Sequence, residues 1–268
     1  MTPVARVCVL GLGEAGALIA RDLALLPDVE VHGYDPAEVA TPAGVVRHGH
    51  PEAAVAGADL VLGVTAAVDA TTALTQALDA IGPGVVYANL ATASAGLQRR
   101  LAAIATGAGL GFTDVALMSP VPGTGLRTPA LASGPSARAF IATMRPLGMP
   151  VEHAGDEPGM AATRKLLRSI VIKGLTALVV ESMQAAEAAG LANETWDNIV
   201  GQLAAADEGL VRRLVTGTGR HAARRVHEME AAVELLAELG VEPIMTNATV
   251  TRLRGVAADQ SAVPSLPG

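Results

Sequence analysis

Apolar residues in the first half of the chain fall into short β-branched runs and longer stretches with helical spacing, divided by glycine- and proline-rich turns. Strands are predicted around Val7–Leu10, Val29–Tyr34, Val45–Arg47, Ala58–Val64, Val85–Ala88 and Gly111–Val115. Helices are predicted between them, at Ala17–Leu26, Pro51–Ala56, Asp69–Ala80 and Leu97–Thr106. A proline-rich loop then runs to about Ala130, and beyond a strand near Val151 only helical periods remain. Strands joined by crossover helices imply an α/β, mainly parallel, doubly wound sheet of the Rossmann type, followed by an all-α domain. The boundary is placed at Gly155, giving domains 1–155 and 156–268, with a loose tail from Ala257.

The first strand runs into Gly11-Leu12-Gly13-Glu14-Ala15-Gly16, a G-x-G-x-x-G turn that opens a helix. In that setting Gly11 permits the tight turn and Gly13 admits a pyrophosphate to the backbone. Gly16 lets the helix close on the strand, and the helix N-terminus faces the anion. The second strand ends in Asp35, about twenty residues on, where an acid receives a ribose 2′-hydroxyl. A carboxylate there repels a 2′-phosphate, which favours NAD over NADP, with NADP kept open.

The second half carries a different signal. From Gly159 to Ala189 there is no proline, and Leu166, Leu167, Ile170, Val171, Leu175 and Leu178 cover most of one helix's circumference. Such a helix is expected to be buried between other elements. On it Lys165, Ser169 and Thr176 lie within about 40° of one another, with Lys173 to the side. All but two of the 19 basic residues are arginine, and the two lysines are Lys165 and Lys173. Arginine cannot replace an amine whose task is to exchange protons, because it does not deprotonate in proteins. A lysine on an apolar helix is therefore a candidate general acid/base, or a structural lysine whose head reaches solvent.

These motifs, in this order, resemble the β-hydroxyacid dehydrogenases, the group that includes 6-phosphogluconate and 3-hydroxyisobutyrate dehydrogenases. The likeness is closer to a branch with a distinctive C-terminal helical domain. Asp114-Val115-Ala116-Leu117-Met118-Ser119-Pro120-Val121-Pro122-Gly123 stands where that family has its substrate-binding segment, and Gly159 to Ser169 matches its catalytic segment. The resemblance implies that Lys165 is the catalytic lysine and that Ser169 replaces the usual asparagine. It places Ser119, Pro120 and Gly123 at the substrate carboxylate, Asn89 and Thr92 beside the nicotinamide, and Thr65 beside the pyrophosphate. Arg168, and the later helix with Arg225 and His227, would add cationic walls for an acidic substrate, with Lys173 nearby. Imine reductases share this architecture but typically carry an aspartate or tyrosine where this chain has Lys165.

Composition narrows the remaining classes. A net charge of −7 argues against a nucleic-acid partner. No apolar run reaches the ~18 residues of a bilayer span, and no signal core opens the chain, so a cytoplasmic location is expected. Cys8 is the single cysteine, and the histidines lack metal-ligand spacing, so no metal site is expected. The reading is an NAD(P)-dependent oxidoreductase of a small hydroxy or oxo acid, working as a homodimer. Imine reduction and nucleotide sensing without turnover are the alternatives.

Overall fold

The computed structural model describes residues 6–266 and divides into two compact units, Met1–Arg168 and Ser169–Gly268. In the first unit eight strands form one sheet in the order β3-β2-β1-β4-β5-β6-β7-β8. They are β1 (Arg6–Leu10), β2 (Glu30–Tyr34), β3 (Val45–Arg47), β4 (Leu60–Gly63), β5 (Val86–Asn89), β6 (Gly111–Leu117), β7 (Ala130–Ser133) and β8 (Val151–Gly155). The five helices between them are α1 (Glu14–Ala24), α2 (Pro51–Val55), α3 (Ala70–Ala77), α4 (Ala95–Gly107) and α5 (Ala137–Met144).

All pairings are parallel except β6 with β7. Both faces are covered, so consecutive residues of one strand enter different cores. Val7 and Val9 join Leu62, Phe140 and Met144 on one side, while Cys8 and Leu10 join Val61, Tyr87 and Phe112 on the other. This explains why β1 reads as an unbroken apolar run rather than an alternating one. Burial also pushes the Cys8 thiol up to about 12, which keeps it an unreactive core residue.

The proline-rich loop ends in a strand that periodicity did not show. β7 is a four-residue strand, Ala-Leu-Ala-Ser, after Pro129, held by antiparallel pairing with β6 (Leu117 opposite Ala130, Asp114 opposite Ser133) and parallel pairing with β8. The division between units falls at Arg168, inside a helix, rather than at Gly155, because the first turns of that helix belong to the sheet's own core. Ala161 and Ala162 there are buried.

The second unit is helical. α6 (Met160–Ala188) runs into it, followed by α7 (Ala192–Ala204), α8 (Glu208–Glu238) and α9 (Ile244–Ala258). α8 is kinked at His221, whose φ of −120° and ψ of 15° are not helical. The start of α9 is held by Glu181 of α6. Its carboxylate accepts from the N–H groups of Met245 (2.6 Å) and Thr246 (2.8 Å) and from the Thr246 hydroxyl (2.6 Å). The expectation that α6 is sheathed by other elements fails in the single chain: Ile170 and Val171 are 70% and 66% exposed. No helix among the described residues is long and apolar enough to cross a membrane.

Burial works to raise the Glu181 carboxyl, but the Thr246 and Met245 donors outweigh it and hold it below its ordinary value of 4.5. Its contribution is therefore complete above that pH and is lost as pH falls through the lower folded value. Glu181→Ala is expected to cost about 1–2 kcal/mol at neutral pH. Urea unfolding from pH 3 to 7 should show a flatter acid limb for the variant.

Candidate functional site

The sheet's order reverses between β1 and β4, and the loops at the C-terminal ends of these strands diverge to leave a crevice. Its floor is the glycine turn. Gly11 has φ +99°, and a Cβ there would stand 2.3 Å from the Val64 carbonyl oxygen. A Cβ on Gly16 would stand 1.9 Å from the Gly11 carbonyl oxygen, so both positions exclude any side chain. Gly13 is different: a Cβ there would meet nothing within 4 Å. Its openness faces a cavity of about 350 Å³ lined by Gly11, Gly13, Asp35, Pro51, Thr65 and Gln76 among others. No side chain caps the N-terminus of α1, which leaves its first N–H groups to meet an anion. Leu12 is buried beneath the turn, Ala15 packs on the core, and Glu14 is exposed at the first helical position.

Asp35 closes one side of the cavity. One carboxylate oxygen accepts from the Leu12 N–H (2.7 Å) and the other from the Ala37 N–H (2.8 Å), so the group is fixed across the mouth of the glycine turn. Arg47, at the end of β3, holds the loop that follows. Its guanidinium donates to the carbonyls of Asp35 (3.1 Å), Ala37 (2.6 Å) and Val39. Sequence spacing alone left Arg47 unplaced. Its signal was an arginine ending an edge strand, and its task needs the fold to bring residues 35–39 beneath it.

A second cluster forms where α6 begins. Asp114 of β6 is fully buried, and its Oδ2 accepts from the Ser133 hydroxyl (3.1 Å) and the Ala162 N–H (3.0 Å). The Ser133 oxygen accepts from the Ala161 N–H (2.9 Å). Burial raises the Asp114 carboxyl above its ordinary value, against the pull of these donors and of Lys165. Further along α6, Lys165 is half-buried rather than enclosed, and its ammonium donates to the Thr92 hydroxyl at 2.8 Å. Arg168 donates to the Met118 carbonyl and so ties α6 to the loop that carries Ser119, Pro120 and Gly123. Ser119 Oγ is buried without a partner among the described residues.

Asn89, at the end of β5, is fully buried, and its amide donates to Gln98 Oε1 (2.9 Å), while Gln98 donates to the Ala91 carbonyl (3.3 Å). The Asn89 Oδ1 has no partner among the described residues. Ser169, Lys173, Arg225 and His227 belong to the second unit. There Lys173 is exposed, Arg225 donates to the Thr218 hydroxyl (2.7 Å), and His227 pairs with Glu230 (3.2 Å).

Residues 186–256 match the family model for DUF1932, a domain of unknown function. An uncharacterized 28.5 kDa protein of Methanothermus fervidus is 28% identical over 119 residues, which are 44% of this chain and 47% of that protein. The matched stretch thus spans about half the length of this curated relative. Over 97% of this chain and 96% of the other, the fold is that of a Streptomyces aurantiacus imine reductase, with TM-score 0.76 and 23% identity. An imine reductase from Myxococcus stipitatus in complex with NADP+ aligns with TM-score 0.77 and 15% identity, over 96% of each chain. Its V8 variant, solved with NAD+, aligns with TM-score 0.77 and 14% identity over 98% of this chain and 96% of that one. The fold, a Rossmann-type sheet unit followed by a helical unit, is therefore shared along nearly the whole chain.

The hold of Arg47 on residues 35–39 can be tested without any ligand. Arg47→Ala is expected to raise the amide exchange rate of Ala37 and Val39 by about tenfold or more. Exchange at the buried β1 amides should stay unchanged.

Proposed function

We propose that this protein is an NAD(P)-dependent oxidoreductase acting on a small acidic substrate, a 3-hydroxy acid or its oxo form, with Lys165 as general acid/base. The observation that carries this reading is the placing of one of the chain's two lysines. Lys165 is hydrogen-bonded to Thr92, in the loop after β5, on the same sheet end as the glycine turn. The residues at that turn suit a dinucleotide: an open Gly13, an uncapped helix start and a carboxylate at the end of β2. Because Arg47 is committed to three carbonyls, the acid at Asp35 decides the ribose preference, and NAD is favoured.

When bound, the nicotinamide supplies or accepts the hydride. Lys165 then takes the hydroxyl proton as a 3-hydroxy acid is oxidised, or returns it to the oxygen as the oxo acid is reduced. The Thr92 hydroxyl accepts from the ammonium and keeps it aimed. Arg168 braces the Ser119–Gly123 loop through Met118. Through that contact the side chain orders the segment that would meet substrate.

A second reading, reduction of a C=N bond, is favoured by the fold shared with two imine reductases. The two readings separate on one panel of 3-hydroxy acids, oxo acids and cyclic imines, followed at 340 nm with NAD(H) and NADP(H). Hydroxy-acid turnover that falls by about 10²–10⁴ in Lys165→Ala, with nucleotide affinity intact, is the expected result. Imine turnover that survives the substitution would instead favour the second reading and remove Lys165 as proton donor.

The apolar faces on the second unit support a homodimer. Ile170, Val171, Trp196, Leu203 and Leu214 are each at least half exposed or close to it, and large exposed apolar side chains of this kind are what an interface between copies would cover. Sedimentation at micromolar concentration is expected to return twice the chain mass. A single-chain mass would overturn the assembly.

A further inference from the structure

The loop after β5 presents Thr92 to Lys165, and one buried side chain shapes that loop. Ala91 and Ala93 are buried and Thr92 between them is exposed, so two small side chains anchor the loop while the hydroxyl faces outward. At its start the Leu90 N–H donates to the Gly63 carbonyl, at the end of β4 (2.8 Å). At its end Ser94 caps α4 by accepting from the Leu97 N–H (3.2 Å). Gln98 lies one turn into α4. Helical side chains lean toward the N-terminus, so its amide reaches back past the cap to the loop.

Gln98 is fully buried, and both ends of its amide are engaged. Oε1 accepts from the Asn89 amide (2.9 Å), and Nε2 donates to the Ala91 carbonyl (3.3 Å). Residues 89 and 91 are thereby held from one side chain. Thr92 follows directly, with its hydroxyl 2.8 Å from the Lys165 ammonium. An amide is costly to bury unless paired, and an aliphatic residue would fill the same space, so what Gln98 adds is the geometry it imposes. The helices on either side of that contact also meet at their starts. Gly159, just before α6, has φ +95°, and a Cβ there would lie 2.9 Å from the Cα of Ala95, the first residue of α4. The start of α4 and the start of α6 therefore approach backbone to backbone beside the Thr92–Lys165 pair.

We propose that Gln98 is a positioning residue for the proton-transfer site: its amide locks residues 89–91 so that the Thr92 hydroxyl meets the Lys165 ammonium. This rests on Lys165 being the proton carrier, and it adds what keeps that carrier in place. Gln98 is enclosed in the core and acts through Thr92. Proton transfer depends on close placement of the reacting groups, so a lysine that swings loses rate at saturating substrate. Nucleotide affinity, set at the glycine turn, is spared.

A double-substitution cycle read on the chain's two lysines tests this. Protein labelled with ¹³C at the lysine ε-carbon yields two signals, told apart by Lys173→Arg. The two ε protons of a lysine held by its ammonium are inequivalent, and those of a lysine that swings freely average. The wild type, Gln98→Leu, Thr92→Val and the double variant are compared, each loaded with NADH. Gln98→Leu fills the space and removes the amide. The Lys165 ε protons should be inequivalent in the wild type and merge in Gln98→Leu, while the Lys173 signal stays unchanged. They should merge equally in Thr92→Val, and the double variant should go no further. On any substrate of the panel that turns over, Gln98→Leu should lower kcat by about tenfold to a hundredfold with NADH affinity unchanged. Added to Thr92→Val, it should lower kcat no further. Equivalent protons in the wild type, inequivalent protons in folded Gln98→Leu, or an added effect on top of Thr92→Val each overturn the proposal. Should Gln98→Leu fail to fold, Gln98→Asn draws the amide back by one carbon and carries the same expectations. The lysine signals need no turnover, so an inactive substrate panel would remove the oxidoreductase reading and leave this result standing.

Discussion

A long helix that starts inside a protein needs acceptors for its first N–H groups, and the rest of the candidate site hangs on how that need is met. Asp114 and Ser133, paired across β6 and β7, supply the acceptors for Ala162 and Ala161. The strand β7 matters here because it is antiparallel. Its reversed direction brings Ser133 opposite Asp114, and the two side chains share one side of the sheet. With the start of α6 fixed, Lys165 reaches Thr92 and Arg168 reaches the Met118 carbonyl. Lys165 and the loop that carries Ser119 are thereby tied to the same base.

The nucleotide end obeys a different constraint, one of close approach. Gly11 and Gly16 are required because backbone atoms occupy the space a Cβ would take, whereas the space beside Gly13 is open to the cavity. Around this turn polar groups are arranged in series. Arg47 fixes the loop carbonyls, the loop fixes Asp35, and Asp35 bridges to the Leu12 N–H. A carboxylate constrained on both oxygens presents its remaining lone pairs in a set direction, which is what recognition of a ribose diol demands.

The helical unit is organised around a buried acid of its own, with Glu181 performing for α9 what Asp114 performs for α6. Its outer faces remain apolar. Ile170, Val171 and Trp196 contribute hydrophobic area that the single chain leaves in water. The even spread of apolar residues around α6, which looked like the mark of a helix enclosed within one chain, is equally the mark of a helix enclosed by two.

Much of the first unit was legible from residue order. Alternating β-branched and helical runs predicted the parallel sheet, and the glycine spacing with Asp35 located the crevice, because both are set by local backbone geometry. Lys165 stood out through the chain's near-exclusive use of arginine. Other features had no local signature. β7 is four residues, Ala-Leu-Ala-Ser, too short to show a period and set between β6 and β8, and Asn89 is internal, where Gln98, nine residues on, receives its amide. The roles of Asp114, Ser133 and Arg47 likewise come from hydrogen bonds between residues far apart in the chain. Sequence by itself determined which segments form strands and helices and which residues have the chemistry for dinucleotide and proton transfer. Tertiary structure alone decided which of those groups meet, since a buried polar atom is satisfied by whatever partner the fold carries to it.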